Sequence, residues 1–456
     1  MGGAMAGYAA AAGAGLAAGL ALAAPAVMSA PAHWRALAAP LLDAAWSTNA
    51  GAWLAGHAAA IGVALLLAAA ARCCCCRARA QVVRVHGAGG RPAVLPAVAC
   101  GTSGARLGAS AGAPPAFPNG WYFVCWSDEL PRGSARAVSV AGAHVALFRG
   151  TSGAVGALHA FCPHMGANLA VGGVVGADAL TCPFHGWSFD ATGRCVDVRS
   201  APSGAPPPRG CDTTAHEVRE RNRQVYVWAD AEGRPPSYEL PEVVRAGAVC
   251  HGRATHTVAA HIAEMPENGA DIAHLGALHG PLSVPPGSWA PAWARHRWTA
   301  AWAPCAEAPH TAVVRVEQWL EVAGARLPGT TVRAVATQVG PGFVAQELAT
   351  PLGTFQVLET VTPVEALLQR ATHTIFSPWY IPRALALSAF AGYIIQYERD
   401  VVVWNNKAYV PRPRLVAGDG PIMAFRRWFG QFYSEHSVSV PDALRTRAWT
   451  TAMTDW

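Results

Sequence analysis

From residue 120 to about 228 the chain alternates short apolar, β-branched runs with turn residues: 121–125, 137–140, 144–148, 155–161, 180–182 and 224–228. Runs this short, punctuated by Gly, Pro, Asn and Asp, predict a small all-β domain. Past the Pro-rich turn at 203–208 and a boundary near Pro235 the pattern changes. Strand-like runs at 311–316, 331–337 and 355–362 mix with two helical segments, which predicts an α+β domain. Within the helical stretch 388–407, Gln396, Asp400 and Trp404 recur every four residues on one stripe, so Asp400 is an acid on a mostly apolar face and Glu398 falls off it.

The N-terminal part has a different pattern. Residues 51–71 carry no charge and include Trp53, Leu54, Ile61, Val63 and Leu65, a length that predicts a transmembrane helix over 51–72, with a buried soluble helix as the alternative. Arg72, Arg77, Arg79 and Arg84 follow it and only Arg35 precedes it, so the positive-inside bias expects the C-terminal bulk on the cytosolic side of a membrane, the endoplasmic reticulum in a eukaryotic cell. The uncharged stretch 8–28 stays open between a second span, a signal-like segment and disorder. Cys73 to Cys76 sit where juxtamembrane cysteines are S-palmitoylated. The expected organisation is an Ala/Gly-rich segment 1–50, the helix 51–72, a juxtamembrane segment and linker 73–116, the β domain 117–235 and the α+β domain 236–456.

Composition narrows function by exclusion. A length of 456 residues suits an anchor plus two packed domains. The 52% hydrophobic share is inflated by alanine, and the net charge of +6 forms no lysine-rich block or aromatic-interleaved basic stripe, which excludes a nucleic-acid surface. Twelve cysteines, four of them in one run and two in metal-type motifs, suit a reducing compartment better than a disulfide framework. No Ser/His/Asp pattern or phosphate loop appears.

Two motifs carry chemistry. Cys162-Pro-His164 and, after seventeen intervening residues, Cys182-Pro-Phe-His185 each offer one thiolate and one imidazole, with Gly close behind. A Rieske [2Fe-2S] centre needs two thiolates on one iron and two imidazoles on the other, and the pair of loops supplies both. A Cys₂His₂ zinc site is the alternative, although structural zinc usually pairs Cys with Cys and His with His along the chain. Downstream lies Asp271-Ile-Ala-His274-Leu-Gly-Ala-Leu-His279-Gly280. Histidines five apart point about 140° from each other on a regular helix, so both face one metal only if the helix ends between them, as Gly276 and Gly280 permit. Two His and one carboxylate leave open positions on a non-haem iron, and Asp400 is the third candidate. Asp271, one turn before His274, is placed to hydrogen-bond that imidazole.

A Cys-x-His and Cys-x-x-His pair followed by Asp-x-x-His-x-x-x-x-His resembles the Rieske oxygenases. Residues 267–275, the Asp400 segment through Lys407, and 428–433 resemble the Neverland-type cholesterol 7-desaturases more closely, over roughly residue 117 to the end. Ala167, Phe184 and Trp187 stand where respiratory Rieske subunits carry a disulfide and a serine, which implies a low potential. The resemblance implies a helix-grip-like catalytic domain, a [2Fe-2S] cluster on Cys162, His164, Cys182 and His185, and Fe²⁺ on His274, His279 and Asp400. It also implies electrons from NAD(P)H through a ferredoxin-type or NAD(P)H reductase, transfer from His185 through Asp271 to His274, usually across a homotrimer, and O₂-dependent desaturation of a sterol at C7–C8. Trp379, Tyr380, Phe390, Tyr393 and Trp404 are expected around a channel for a flat polycyclic ligand. Competing readings are a ketosteroid hydroxylase on the same framework, a membrane-anchored Rieske electron carrier, and a catalytically dead sterol-binding protein.

Overall fold

The computed structural model describes residues 111–199, 201–202, 206–281, 293–351 and 353–445. Its first part is all β, as the short runs require. β1 (Gly120–Trp126), β9 (Val218–Arg221) and β10 (Gln224–Ala229) form one sheet in the order β1-β10-β9. β2 (Ser134–Val140), β3 (Ala143–Arg149) and β4 (Val155–His159) form a second. The four short strands β5 (Val174–Val175), β6 (Ala179–Thr181), β7 (Trp187–Asp190) and β8 (Cys195–Val198) form a third, and this one carries the second Cys/His loop between β6 and β7.

The second part is an eight-stranded antiparallel sheet. β11 (Val249–Val258), β12 (Ala294–Pro304), β13 (Thr311–Val322), β15 (Val332–Val339), β16 (Phe343–Thr350), β17 (Gly353–Glu365) and β18 (Leu368–Ser377) run in the order β11-β18-β17-β16-β15-β13-β12, with the two-residue β14 (Ala325–Arg326) paired to β13. Helices α1 (Glu264–Glu267), α2 (Ala273–Ala277), α3 (Arg383–Trp404), α4 (Ile422–Phe429) and α5 (Val440–Arg445) complete it.

Burial explains why the strands read differently. β17 is covered on both faces: Phe355 and Val357 pack with Phe390 of α3, whereas Leu358 packs with Phe123 and Tyr226 of the first part. Burial on both faces holds although β17 mixes Gln356, Thr360 and Thr362 with its apolar residues, and these buried polar groups are hydrogen-bonded. On β13 and β15 one face is open, so Val314 and Ala336 are half-buried while Arg315, Arg333 and Val335 are exposed, giving the alternation of a one-sided strand. The shared cluster of Trp121, Phe123, Phe343, Leu358 and Phe376 makes the two parts one packed body. Among the helices, α3 lays Phe390, Tyr397, Val401 and Trp404 on the sheet, and Arg426 of α4 grips Glu267 of α1 through two hydrogen bonds of 2.6 and 2.9 Å.

Two expectations need correction. The transmembrane helix over 51–72 falls outside the described residues, and among the described residues no helix is long and apolar enough to cross a membrane. The supported fold is the β domain plus the α+β domain, without that helix. An uncharged run of this length meets the minimum for a span and does not by itself show that the segment crosses a membrane. The aromatic channel also dissolves: Phe390 and Trp404 are core residues, and Trp379 is 79% exposed beside an exposed Tyr380. Of the five, only Tyr393 turns a polar group toward the interior, where its hydroxyl meets Glu359.

Candidate metal centres

The two Cys/His loops are built alike. Cys162 donates its N–H to Ala167 O (2.8 Å) and receives Gly166 N–H on its carbonyl (2.9 Å); Cys182 donates to Trp187 O (2.7 Å) and receives Gly186 N–H (3.2 Å). Each turn closes through a glycine in the left-handed region, Gly166 at φ +74° and Gly186 at φ +71°, where a side chain would be strained. The thiols of Cys162 and Cys182 are buried and the imidazoles of His164 and His185 lie at the outer rim, ring centroids 4.6 Å apart. Trp187 stacks on His164 at 4.5 Å and 8°. Two sulfurs inside and two nitrogens outside, held by paired loops, fit a [2Fe-2S] group with its histidine-bound iron toward the surface. That donor pattern along the chain is also what a zinc site lacks.

The second group assembles residues far apart in sequence. α2 ends at Ala277, so His279 sits beyond the helix and its ring comes to 5.0 Å from that of His274, at 80°. Gly280 is required there: a Cβ would lie 2.3 Å from the carbonyl oxygen of Gly276. Gly276 itself has open space around it. Asp400 arrives on α3, and one donor atom from each of His274, His279 and Asp400 lies within 4.8 Å of the others.

The hydrogen bonds show what these atoms are set up to hold. Gln396, one turn before Asp400, takes the His279 Nδ1–H on its Oε1 (3.0 Å); that oxygen also accepts from Arg399 (3.0 Å), which settles its role as acceptor. With Nδ1 held by Gln396, the other ring nitrogen, Nε2, is the one turned to the site, and it faces Asp400 Oδ1 at 3.2 Å. Asp400 Oδ1 is buried with no hydrogen-bond partner. A buried carboxylate oxygen facing a ring nitrogen at this distance is satisfied by a positive charge between them, a proton or a metal ion. His274 repeats the arrangement: its Nδ1 is held by the backbone carbonyl of Asp271, which leaves Nε2 for a metal. Burial pulls the His274 pKa down, but hydrogen bonding to Asp271 and the charge of Asp400 outweigh it, and the net shift is upward. The site attracts positive charge. Two imidazoles and one carboxylate on one side fit a non-haem iron with open positions.

Each residue singled out in the sequence thus stands in one of two groups. Asp271 accepts the backbone N–H of His274 (3.1 Å) and its side chain stays partly exposed. Gln396 was legible as a member of the Asp400 stripe, but its bond to His279 was not. Arg399, which donates to the carbonyls of Leu278 and Pro281 and pins the turn after α2, gave no signal, because an arginine on a helix reads as solvated.

Comparison with known proteins agrees with both centres. The Rieske [2Fe-2S] domain family matches residues 120–228 and the 3-ketosteroid 9α-hydroxylase C-terminal domain family matches residues 227–433. Among solved structures, the fold is similar to NdmA of Pseudomonas putida CBB5 with caffeine (TM-score 0.51, 18% identity, 70% of this chain and 94% of that one). With a cluster domain, a two-histidine and carboxylate site and these matches, the chain is a Rieske-type non-haem iron oxygenase carrying a [2Fe-2S] cluster and a mononuclear iron. Its curated relatives narrow this. It is 41% identical to the cholesterol 7-desaturase of Caenorhabditis elegans over 346 residues (71% of this chain, 78% of that one) and 40% identical to that of Bombyx mori over 341 residues (73% of each). The oxygenase component of 3-ketosteroid-9-alpha-monooxygenase from Rhodococcus rhodochrous is more distant, at 28% over 346 residues (71% and 83%). The chain belongs to the cholesterol 7-desaturase family.

Proposed function

We propose that this protein desaturates a cholesterol-type sterol at C7–C8, using O₂ and electrons that reach it from NAD(P)H through a reductase. The observation that carries the reading is the 34–41% identity to cholesterol 7-desaturases over 337–347 residues, against 28% to the ketosteroid enzyme. Cys162 and Cys182 bind one cluster iron and His164 and His185 the other; His274, His279 and Asp400 hold the mononuclear iron. When bound, that iron supplies the oxidising power drawn from O₂. The chain's own residues keep the imidazoles in one tautomer, hold the carboxylate without a competing hydrogen bond, and exclude water from the buried side.

Asp271 is the positioning residue between the metals, joining His274 to a His185 presented by another copy in a homotrimer. Its partly exposed side chain and the rim position of His185 support this. The reductase meets the cluster tip, where Met165 and Phe184 stand 65% and 59% exposed. No disulfide joins the described cysteines, which suits the cytosolic side of the cell.

The test is expression in a sterol-defined host fed cholesterol, with mass and ultraviolet analysis. A product two mass units lighter with conjugated-diene absorption is expected, dependent on His274 and Asp400. A product sixteen units heavier without that absorption would move the assignment to the steroid hydroxylases. No conversion by a protein loaded with both metals would leave a carrier or a sterol-binding protein.

A further inference from the structure

Two cysteines outside the cluster loops come together in the β domain. Gly193, in the turn before β8, accepts the Thr213 N–H on its carbonyl (2.8 Å), and the Cys195 N–H donates to Asp212 Oδ1 (2.8 Å). The approach is close: a Cβ at Gly193 would run into the Thr213 carbonyl oxygen. Because 193 meets 213 and 195 meets 212, the segment 211–213 runs antiparallel to the start of β8, which sets Cys211 opposite Cys195. Opposite residues on antiparallel chains stand about 4.5–5.5 Å apart at Cα with side chains on one face, inside the about 4.4–6.8 Å that a disulfide spans. Both cysteines are free, and both are buried in one cluster of packed side chains with Phe189 and Leu158.

The place of the pair in the domain gives it a consequence. Beyond Asp212 the same segment crosses to β4: the His159 N–H donates to Thr214 O (2.7 Å), the His216 N–H donates to Ala157 O (2.8 Å), and Leu158 bridges to Ala215. β4 leads directly into the Cys162 loop. On the other side β8 is paired to β7, with Cys195 opposite Phe189, and Trp187 at the start of β7 takes the Cys182 N–H on its carbonyl (2.7 Å). Residues 211–216 are therefore a strap between the sheet that presents one cluster loop and the sheet that presents the other. Its hold on the β8 side is the pair of hydrogen bonds at Gly193 and Cys195, and the two sulfurs lie at that same end.

The surroundings suit a pair that rests reduced and oxidises together. Arg194, Val196, Gly210 and Asp212 flank the two cysteines in sequence and are all exposed, so the sulfurs lie one residue beneath the surface, within reach of a small oxidant. Burial pushes the Cys195 thiol up to about 12, with the neighbouring Cys211 adding to the rise. Cys195 therefore rests as a thiol at neutral pH and is slow toward bulky alkylating reagents. A second sulfur at its side is what lets oxidation end in a disulfide instead of a higher sulfur acid.

We propose that Cys195 and Cys211 form a reversible disulfide, made by hydrogen peroxide, that turns the strap between the two cluster loops into a covalent tie. One sulfur takes an oxygen from peroxide as a sulfenic acid and releases water; the other sulfur then displaces that oxygen as a second water. Two S–H bonds and one O–O bond give way to one S–S bond and two new O–H bonds, and the two electrons pass from the sulfurs to the peroxide oxygens. A thiol reductant reverses the step by exchange. Peroxide is the two-electron product of O₂, so a protein that brings O₂ and electrons together meets it whenever both electrons reach O₂ and no C–H bond is oxidised. The proposal holds whatever the substrate is.

The experiment uses holoenzyme with both metals loaded. It is treated with a small excess of hydrogen peroxide, cleared with catalase, then unfolded in iodoacetamide, digested and mapped by mass spectrometry. In the wild type the peptides carrying Cys195 and Cys211 are expected to appear linked, two mass units lighter than the sum of the free thiol peptides, and dithiothreitol is expected to separate them. Cys250 and Cys305, half-buried elsewhere, are expected to stay alkylated. In parallel, loss of the cluster's visible absorption is followed in excess iron chelator. The oxidised wild type is expected to lose its cluster about tenfold more slowly than the reduced protein, since a cross-link restrains the opening of the loops it joins. Cys195→Ser and Cys211→Ser are expected to show one rate before and after peroxide. The wild-type comparison stands by itself if either variant folds poorly. Cys195 and Cys211 both alkylated after peroxide, either one linked to a different cysteine, or a linked pair whose cluster leaves no more slowly, overturns the proposal.

Discussion

The proposed ligands of the cluster lie on two loops within 162–185, each loop closing on its own backbone hydrogen bonds and a left-handed glycine. The mononuclear site draws on a helix end at 274–279 and on a second helix more than a hundred residues later. The first depends on local turn chemistry and sits at an exposed rim. The second exists only when α3 is seated on the sheet, and it is largely buried. Local construction makes the cluster loops separable from the rest of the body, whereas the iron site is a consequence of core packing. The contrast predicts that damage to one centre stays with that centre in the first case and spreads into packing in the second.

The largest effect is expected at the packed site. Asp400→Ala leaves two imidazoles and no carboxylate, and the loss of mononuclear iron should exceed the about 10–100-fold typical of losing an outer partner. Metal analysis should then show only the cluster's iron, with the Rieske EPR signal intact and diene formation gone. Loss of the cluster as well would break the claim that the centres are independent.

His164→Ala, or Cys182→Ser, should remove the visible and EPR signals of the cluster and stop turnover driven by reductase while mononuclear iron stays bound. If both metals leave a folded protein, the loops are less autonomous than their hydrogen bonding indicates.

Gln396→Leu is of intermediate size. It removes the acceptor that holds His279 Nδ1–H, so the ring can rotate or change tautomer, and iron affinity should fall about 10–100-fold. Titration with Fe²⁺ under anaerobic conditions measures this directly, and an unchanged affinity would mean that Arg399 and the turn after α2 position His279 without Gln396.

Gly280→Ala should cost folding stability, about 1–3 kcal/mol by the overpacking it forces against Gly276 O. Denaturant unfolding reads the loss, which should exceed that of Gly276→Ala, where space is open.

Smallest is Trp187→Phe on the cluster side. A phenyl ring keeps the stacking on His164 in part, and metal content should not change. The indole Nε1–H of Trp187 is buried without a partner, so its removal also relieves an unsatisfied donor. A lost cluster in this variant would show that the loop needs its ring neighbour as much as its glycines.

The two centres also differ in how far they could be read before folding. Cys162, His164, Cys182 and His185 were legible because cluster ligation is a matter of residue type and short spacing, and the paired loops carry both in one stretch of chain. His274 and His279 were legible as a pair for the same reason. Asp400 came from helical periodicity alone, which places a residue on a stripe and says nothing of what the stripe faces. The expected membrane helix is not a supported element, because 51–72 lies outside the described residues and no described helix is long and apolar enough to cross a membrane. The expected aromatic channel failed because aromatic residues on a helix pack into the core as readily as they line a ligand site.

By itself, then, the chain determined its class of metals, the all-β and α+β halves, and the family, since each of these follows from short-range spacing, period and residue chemistry. Only the tertiary structure decided that Gln396 holds His279, that Arg399 pins the turn after α2, and that Gln346, Glu359 and Tyr393 meet across two strands and a helix. Those contacts join residues separated by 34 to 121 positions for the pairs that involve α3. No local pattern encodes them, because a side chain's partner across a sheet or under a helix is set by register and by where the core forces the helix to lie.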